Sequence, residues 1–212
     1  MDAPPGGDIR SLAHATDEVA SRTRRETDVK ITVIGRGNIG GGLADRWERA
    51  GHTVQRLGRP GGDASGADVV LVAVPGDAVE GALAAVTGLA GKVVLDATNR
   101  YGDVQPPAGS ASNAEYVKSV TGGPTAKIFN TNIADLYGRI DGARVRPSNL
   151  WSGDDDARDA AERLSADAGY EAVRLGDLGM AGTQEELAHS VIAIAQSGLG
   201  EFVYRLAAPE DL

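Results

Sequence analysis

Short apolar runs alternate with longer segments of helical spacing from residue 29 onward. Several runs are apolar at successive positions, as over 69–74, which is typical of strands buried on both faces of a sheet. The pattern predicts strands at 29–34, 53–56, 68–74, 92–96, 126–129, 148–152 and 172–175. It predicts helices at 38–50, 77–86, 113–120, 133–139, 155–168 and 184–207. This alternation predicts an α/β fold with a doubly wound, mostly parallel Rossmann sheet.

The same pattern divides the chain into three regions. Residues 1–28 form a Pro/Gly-rich N-terminal extension, which we expect to be partly disordered or to form one helix over 9–26. Residues 29–176 form the predicted α/β domain, and 177–212 form a small C-terminal helical cap or a dimer contact. One face of the last predicted helix carries the apolar residues Leu187, Val191, Ile194, Ala195, Leu199, Phe202, Val203 and Leu206.

Composition places the chain among globular proteins that can bury a sizeable core. It has 212 residues, of which 42% are hydrophobic and 24% are charged. No cysteine is present, which excludes a disulfide framework, a thiolate nucleophile and Cys-ligated metal centres. Because His14, His52 and His189 lack the spacing of metal ligands, we expect no metal site.

Charge and hydropathy narrow the choice of partners. The formal net charge of −9 argues against a nucleic-acid partner, and the apolar runs are too short to span a membrane. Residues 1–8 lack the apolar core of a secretory signal. We therefore expect a cytoplasmic enzyme or binding protein whose ligands are small molecules.

A glycine-rich motif follows the first predicted strand. Gly35, Gly37 and Gly40 match the G-x-G-x-x-G pattern, and an amphipathic helix is predicted directly after them. In this context the glycines allow a tight turn, a close approach of the backbone to a pyrophosphate, and close packing of helix on strand. The motif therefore predicts a dinucleotide site at the N-terminus of the helix.

The end of the second predicted strand indicates which dinucleotide binds. An NAD site would place a carboxylate there for the ribose hydroxyls, but no acidic residue occurs between that strand and Asp63. Arg59 follows the strand and is the first candidate to bind a 2′-phosphate, with Arg36 as the second. The sequence therefore predicts NADP(H), and residues 29–176 are the predicted NADP-binding Rossmann domain.

The ends of the next three strands should meet near the nicotinamide. Val74 and Pro75 supply an apolar wall, and Asn99, Asn130 and Thr131 supply neutral hydrogen-bonding groups. Asn132 is either a further member of this group or the N-cap of the helix that follows. No acid–base residue is evident at these strand ends, which favours direct hydride transfer between two cofactors, without a catalytic side chain.

Five motifs occur in a recognisable order. They are V-I-G-R-G-N-I-G at 33–40, A-V-P at 73–75, D-A-T-N at 96–99, K-I-F-N-T at 127–131 and S-G-D-D at 152–155. Together they resemble the NADPH-dependent F420 reductase family (coenzyme F420H2:NADP+ oxidoreductase-like proteins) over about residues 29–207.

The resemblance implies a homodimeric oxidoreductase that transfers a hydride between NADP(H) and the deazaflavin coenzyme F420. By position, it implies that the pyrophosphate lies at Arg36, Asn38 and Ile39, and the 2′-phosphate at Gly58 and Arg59. The ring site would be lined by Val74, Pro75, Asn130 and Thr131.

Two departures keep other functions open. Gly58 stands where relatives often carry Ser, and Glu185 and Glu186 would repel the phosphate and polyglutamate tail of F420. The acceptor could therefore be a flavin, a quinone, an imine or an enone. A non-catalytic NADP(H) redox sensor is the alternative from another functional class.

Overall fold

The computed structural model describes residues 28–211. The predicted N-terminal extension, including the helix over 9–26, lies outside the described residues except for Asp28. The strands are β1 (Lys30–Ile34), β2 (Thr53–Leu57), β3 (Gly62–Asp63), β4 (Val69–Val72), β5 (Val86–Thr87), β6 (Val93–Asp96), β7 (Thr125–Ile128), β8 (Ser148–Gly153) and β9 (Glu171–Gly176). The α-helices are α1 (Asn38–Ala50), α2 (Val79–Ala84), α3 (Asn113–Thr121), α4 (Tyr137–Ile140), α5 (Arg158–Asp167) and α6 (Ala181–Ile194).

Within the described part of the chain, seven strands form one sheet in the order β2-β1-β4-β6-β7-β8-β9. Neighbouring strands from β2 to β7 are parallel, β8 runs antiparallel to β7, and β9 is parallel to β8. The predicted mostly parallel, doubly wound Rossmann sheet is thus confirmed. The chain crosses from β2 over β1 to β4, so the direction of winding reverses between β1 and β4, where ligands bind in such sheets.

Both faces of the sheet are covered. Val69 and Leu71 of β4 pack into one apolar cluster with α1 and α5, while Val70 and Val72 pack into a second cluster with α2 and α3. The continuous apolar run that predicted β4 therefore reflects burial on two sides. The cap helix α6 packs on α3, β7 and β8.

Two of the shorter predicted helices differ from the structure. The helix predicted over 77–86 is a 3₁₀ turn (Gly76–Ala78) followed by α2, and residues 86–87 instead form β5, which pairs with β3 in a separate two-stranded sheet. The helix predicted over 133–139 is a 3₁₀ turn (Ala134–Leu136) followed by the four-residue α4. Ile133 rather than Asn132 occupies the N-cap of that turn.

The helix predicted over 184–207 is wrong in its second half. After α6 comes a π-helical turn (Ala195–Leu199), in which Gly198 has φ 111°, and Gly200 follows with φ 75°. Such left-handed residues end a helix. The chain then turns back to the sheet, where the N–H of Ser148 donates to the carbonyl of Tyr204 at 2.8 Å. The apolar residues that were predicted to share one face of this helix therefore do not share a face. The homodimer stays a prediction.

No helix between residues 28 and 211 combines the length and apolar character that crossing a membrane requires.

Candidate functional site

Three adjoining cavities form a trough along the edge of the sheet where β1, β4, β6 and β7 end. The outer cavity, of about 760 Å³, lies beside Gly35, Gly58 and Arg59. The central cavity, of about 520 Å³, shares Val74 and Pro75 with the outer one. The inner cavity, of about 320 Å³, is lined by Ile39, Asn99, Tyr101, Asn130, Thr131, Asn132, Asp135 and residues of α6.

The glycine loop has the geometry that its motif predicts. Gly35 has φ +114°, and a Cβ there would lie 2.1 Å from the carbonyl oxygen of Ala73. A Cβ on Gly40 would lie 2.3 Å from the carbonyl oxygen of Gly35, so the helix and the strand are in close contact. A Cβ on Gly37 would meet no atom within 4 Å, because this glycine faces the open trough.

The N-terminus of α1 offers hydrogen-bond donors to the trough. Gly37 is its N-cap and provides no side-chain oxygen for the first N–H groups, and the first turn contains no acidic residue. The first N–H groups of a helix have no partner within the helix, and the helix dipole makes this end positive. Asn38 and Ile39 line the trough at this position, so the arrangement can bind an anion.

The outer cavity carries two arginines. Arg59 is exposed there, and Arg36 lies over Gly58 and donates to the carbonyl of Arg56 at 2.8 Å. The third arginine of this region, Arg56, points away to Asp45 and Glu48, with contacts of 2.6 and 2.5 Å.

Asp63, the first acidic residue after β2 in the sequence, does not line the outer cavity. The carboxylate of Asp63 accepts hydrogen bonds from the backbone N–H and the hydroxyl of Ser65, at 3.0 and 2.7 Å. Hydrogen bonds from Ser65 hold the pKa of Asp63 below its usual value. One side of the outer cavity is lined by small residues, against which a planar ring can lie. They are Ala78, Gly81, Ala82 and Ala85.

The predicted neutral groups lie together, and Asn99 and Asn130 bond to each other. The amide of Asn99 donates to the carbonyl of Asn130 at 2.6 Å and to the hydroxyl of Tyr101 at 3.0 Å. Asn130 donates to the side-chain oxygen of Asn99 at 2.9 Å. Thr131 shares a 2.6 Å hydrogen bond with the hydroxyl of Tyr204.

Asn132 has a partner on the neighbouring strand. Its amide donates to the side chain of Asn149 at 2.9 Å, and Asn149 also accepts from the backbone N–H of Phe129. Phe129 has φ 62°, an unusual conformation for a bulky residue, and its fully buried ring packs edge-on against Trp47. The strained backbone turns the chain so that the residues after β7 reach the inner cavity.

A buried ion network lies beneath the trough. The ammonium of Lys127 contacts Asp96 at 2.7 Å and Glu185 at 2.8 Å, and all three side chains are at most 1% exposed. Arg100 contacts Glu185 at 2.5 Å, so two acids face two bases. Burial raises the pKa of the Asp96 carboxyl, and the charge of Lys127 opposes that rise.

The network corrects the prediction about Glu185. This carboxylate does not face a ligand, because it is paired inside the protein and also accepts from the backbone N–H of Asn113 at 3.0 Å. Glu186 is exposed and lies beside Arg100 and His189. Neither residue lines any of the three cavities.

Sequence reasoning missed several residues of the trough, among them Asp77, Tyr101 and Asp135. Asp77 lines both the outer and the central cavity, and Tyr101 lines both the central and the inner cavity. Each follows a motif that the sequence did reveal, A-V-P at 73–75 and D-A-T-N at 96–99. The polar residues just beyond these strand ends were therefore the available signal.

No protein-family model matches the chain, and no curated protein matches it. Solved structures do resemble it. A protein from Arthrobacter sp. FB24 with the provisional name F420-dependent NADP-reductase is 23% identical, with a TM-score of 0.71 over 85% of this chain and 100% of its own. The hypothetical protein SMa0349 of Sinorhizobium meliloti is 24% identical, with a TM-score of 0.57 over 76% of this chain and 91% of its own.

A third similar structure belongs to a longer enzyme. The reductive aminase from Aspergillus terreus, in complex with NADPH and ethyl levulinate, is 20% identical, with a TM-score of 0.60 over 81% of this chain. This chain spans 64% of the length of that aminase. At these identities the comparisons establish the fold, and at that level the resemblance predicted from the sequence is confirmed.

Proposed function

We propose that the protein is an NADP(H)-dependent oxidoreductase whose trough binds the dinucleotide and a hydride acceptor side by side. The observation that carries the proposal is the loop at the start of α1, where Gly37 leaves open space in front of free N–H groups. The similar structure of a reductive aminase, in complex with NADPH, supports it.

The residues present fit this cofactor along its whole length. The N-terminus of α1 suits the pyrophosphate, and the small residues at α2 suit the adenine. Val74 and Pro75 give the nicotinamide an apolar wall in the central cavity. When bound, the cofactor would supply a hydride, and the protein would orient its ring and exclude water from one face.

The charges of the outer cavity favour NADP(H) over NAD(H). Arg36 and Arg59 line it, and Asp77, the one acidic residue that the described part of the chain places there, lies at the end that adjoins the central cavity. A guanidinium can pair with a 2′-phosphate through two parallel hydrogen bonds. The side chain of Arg36 lies over Gly58 at the end of β2, where an added Cβ would be in ordinary van der Waals contact with it at 3.6 Å.

Replacing Arg59 with alanine is expected to weaken NADPH binding by about 10- to 100-fold, the value of one or two hydrogen bonds between charged groups. NADH has no 2′-phosphate, so its dissociation constant should not change. Titration of nicotinamide fluorescence with each cofactor measures both constants. The matched control is Arg49→Ala, because Arg49 is exposed on α1 and lies in none of the three cavities. An equal loss for NADH and NADPH would contradict the role of Arg59.

Two acceptors are supported by different observations. The resemblance to an F420-dependent NADP-reductase supports coenzyme F420. The charged residues of the central and inner cavities, Asp77 and Asp135, are both acidic and instead favour an acceptor without negative charge.

The proposed function is tested by mixing the protein with NADPH and oxidised F420 and following the absorbance of the deazaflavin, with NADH as control. Loss of the deazaflavin band with NADPH but not with NADH would support both NADPH and F420 as ligands. Tight NADPH binding without any change in the band would remove F420 and leave the uncharged acceptor. Absence of NADPH binding would refute the proposed function itself.

A further inference from the structure

The hydroxyl group of Tyr101 lies at the junction of the two cavities where hydride transfer would take place. Tyr101 lines the central cavity together with Val74 and Pro75, and it also lines the inner cavity. Half of its surface is exposed, at 50%. Its ring packs against His189 of α6, with 5.8 Å between the ring centroids.

A chain of side-chain amides fixes which atom faces this hydroxyl. Gln184 lies within 3.3 Å of the carbonyl of Lys127 and 3.0 Å of the carbonyl of Leu150. Carbonyl oxygens only accept hydrogen bonds, so the atom of Gln184 at this position must be its nitrogen. The side-chain nitrogen of Asn130 donates to the backbone carbonyl of Gln184 at 3.0 Å, so the other side-chain atom of Asn130, 2.8 Å from the Gln184 nitrogen, must be its oxygen.

The orientation of Asn130 in turn determines that of Asn99. The nitrogen of Asn130 donates to the side-chain oxygen of Asn99 at 2.9 Å. The nitrogen of Asn99 therefore faces Tyr101, and it also donates to the carbonyl of Asn130, which independently requires a nitrogen there. Asn99 is thus the donor, and the phenol oxygen of Tyr101 is the acceptor.

This donation directs the proton of Tyr101 away from the protein. Asn99 is the hydrogen-bond partner that the described residues provide for this oxygen, and Asn99 has no lone pair turned toward it. The O–H bond of Tyr101 is therefore free to point into the cavities.

The other ionisable residues that line the two cavities are aspartates. Of the described residues that line them, Asp77, Tyr101 and Asp135 are ionisable. The two aspartates are exposed, and a carboxylate accepts hydrogen bonds and carries no proton to donate. Asp135 already accepts from Asn38 at 3.2 Å. Tyr101 is left as the donor.

We propose that Tyr101 is a catalytic residue that protonates the substrate, and that the inner cavity takes a small, neutral carbonyl compound. The carbonyl carbon receives a hydride from NADPH, which leaves as NADP+. The O–H bond of Tyr101 breaks as its proton moves to the carbonyl oxygen, so the C=O group becomes CH–OH. The phenolate then regains a proton from water.

The cavity itself sets the class of substrate. Its volume of about 320 Å³ suits a small molecule, and Asp135 is the one charged residue among the described residues that line it. A carboxylate or phosphate on the substrate would be repelled there, whereas Ile39, Val191 and Ile192 offer apolar contacts. The inference rests on the proposed function, because the hydride has to come from NADPH.

The test uses the full chain with NADPH and three neutral probes: butanone, cyclohexanone and benzaldehyde. The wild-type protein is expected to oxidise NADPH with at least one of them. Tyr101→Phe keeps the ring against His189 but removes the proton, so kcat is expected to fall by about 100-fold or more. The solvent deuterium isotope effect on kcat is expected to disappear, while the dissociation constant of NADPH stays unchanged.

The matched control is Tyr116→Phe, because Tyr116 lies on α3 and lines neither cavity. A Tyr101→Phe variant with wild-type kcat and an intact isotope effect would overturn the role of Tyr101. Wild-type protein that binds NADPH but reduces none of the three probes would overturn the carbonyl substrate and leave the proposed function standing. Failure to bind NADPH would overturn both.

Discussion

Replacing Lys127 with methionine is expected to lower the free energy of unfolding by about 3–5 kcal/mol. Methionine is also long and unbranched but carries no charge, so Asp96 is left as a fully buried carboxylate. Its remaining partner is the backbone N–H of Thr98, at 3.0 Å. A buried ion that has lost its counterion has no water to replace it. Urea unfolding, followed by the fluorescence of the buried residues Trp47 and Trp151, measures the loss.

The control for this experiment is Lys118→Met. Lys118 pairs with Asp154 at the surface, where its side chain is 42% exposed, and such a pair contributes at most about 1 kcal/mol. If the Lys127 variant does not fold, the double variant Asp96→Asn/Lys127→Met should fold, because no ionised Asp96 remains. Equal, small losses in the free energy of unfolding for the Lys118 and Lys127 variants would show that the buried ion network does not hold the ends of β6 and β7 together.

Replacing Gly35 or Gly37 of the glycine motif with alanine is expected to change different properties: stability for Gly35 and NADPH binding for Gly37. Gly35→Ala should lower the free energy of unfolding by about 3–5 kcal/mol, because its φ of +114° is strained for alanine and its Cβ would overlap the carbonyl of Ala73. Gly37→Ala should lower the free energy of unfolding by no more than about 1 kcal/mol, the cost of alanine at an N-cap, since its φ of −73° suits alanine and its Cβ meets nothing within 4 Å.

NADPH binding should respond chiefly to the change at Gly37. The Cβ of Gly37→Ala would stand where the N–H groups of α1 approach the pyrophosphate, so the dissociation constant of NADPH should rise by about 10- to 100-fold. Fluorescence titration and urea unfolding of the same samples separate binding from stability. Gly66→Ala serves as control, because Gly66 also has open space around it but lies outside the trough. Unchanged NADPH binding by Gly37→Ala would mean that no pyrophosphate approaches this loop.

The sequence predicted the sheet well because burial on both faces leaves a strong local signal. The run at 69–74 contains β4, with alternate residues in two separate apolar clusters. The short strands β3 and β5 escaped prediction because each has only two residues, too few for a period to show. The last helix was predicted too long because its apolar spacing continues past Gly198, where the backbone turns left-handed and the chain returns to β8.

The candidate site was predicted where it depends on the backbone and missed where it depends on distant side chains. The loop at Gly35 and Gly37 could be recognised because the need for a positive φ or for open space acts on single residues. Glu185 was predicted to repel a ligand, but its partners Arg100 and Lys127 lie 85 and 58 positions away in the sequence and hold it inside the protein. No local pattern carries that information.

By itself, the sequence determined the Rossmann sheet, the glycine loop at the start of α1, and the absence of an acidic residue at the end of β2. These features follow from local periodicity and from the conformations open to single residues. The tertiary structure alone decided that Asn99 turns its nitrogen toward Tyr101. That orientation depends on Asn130 and Gln184, which lie 31 and 85 residues farther along the chain than Asn99. Hydrogen-bond direction passes between partners that only folding brings together.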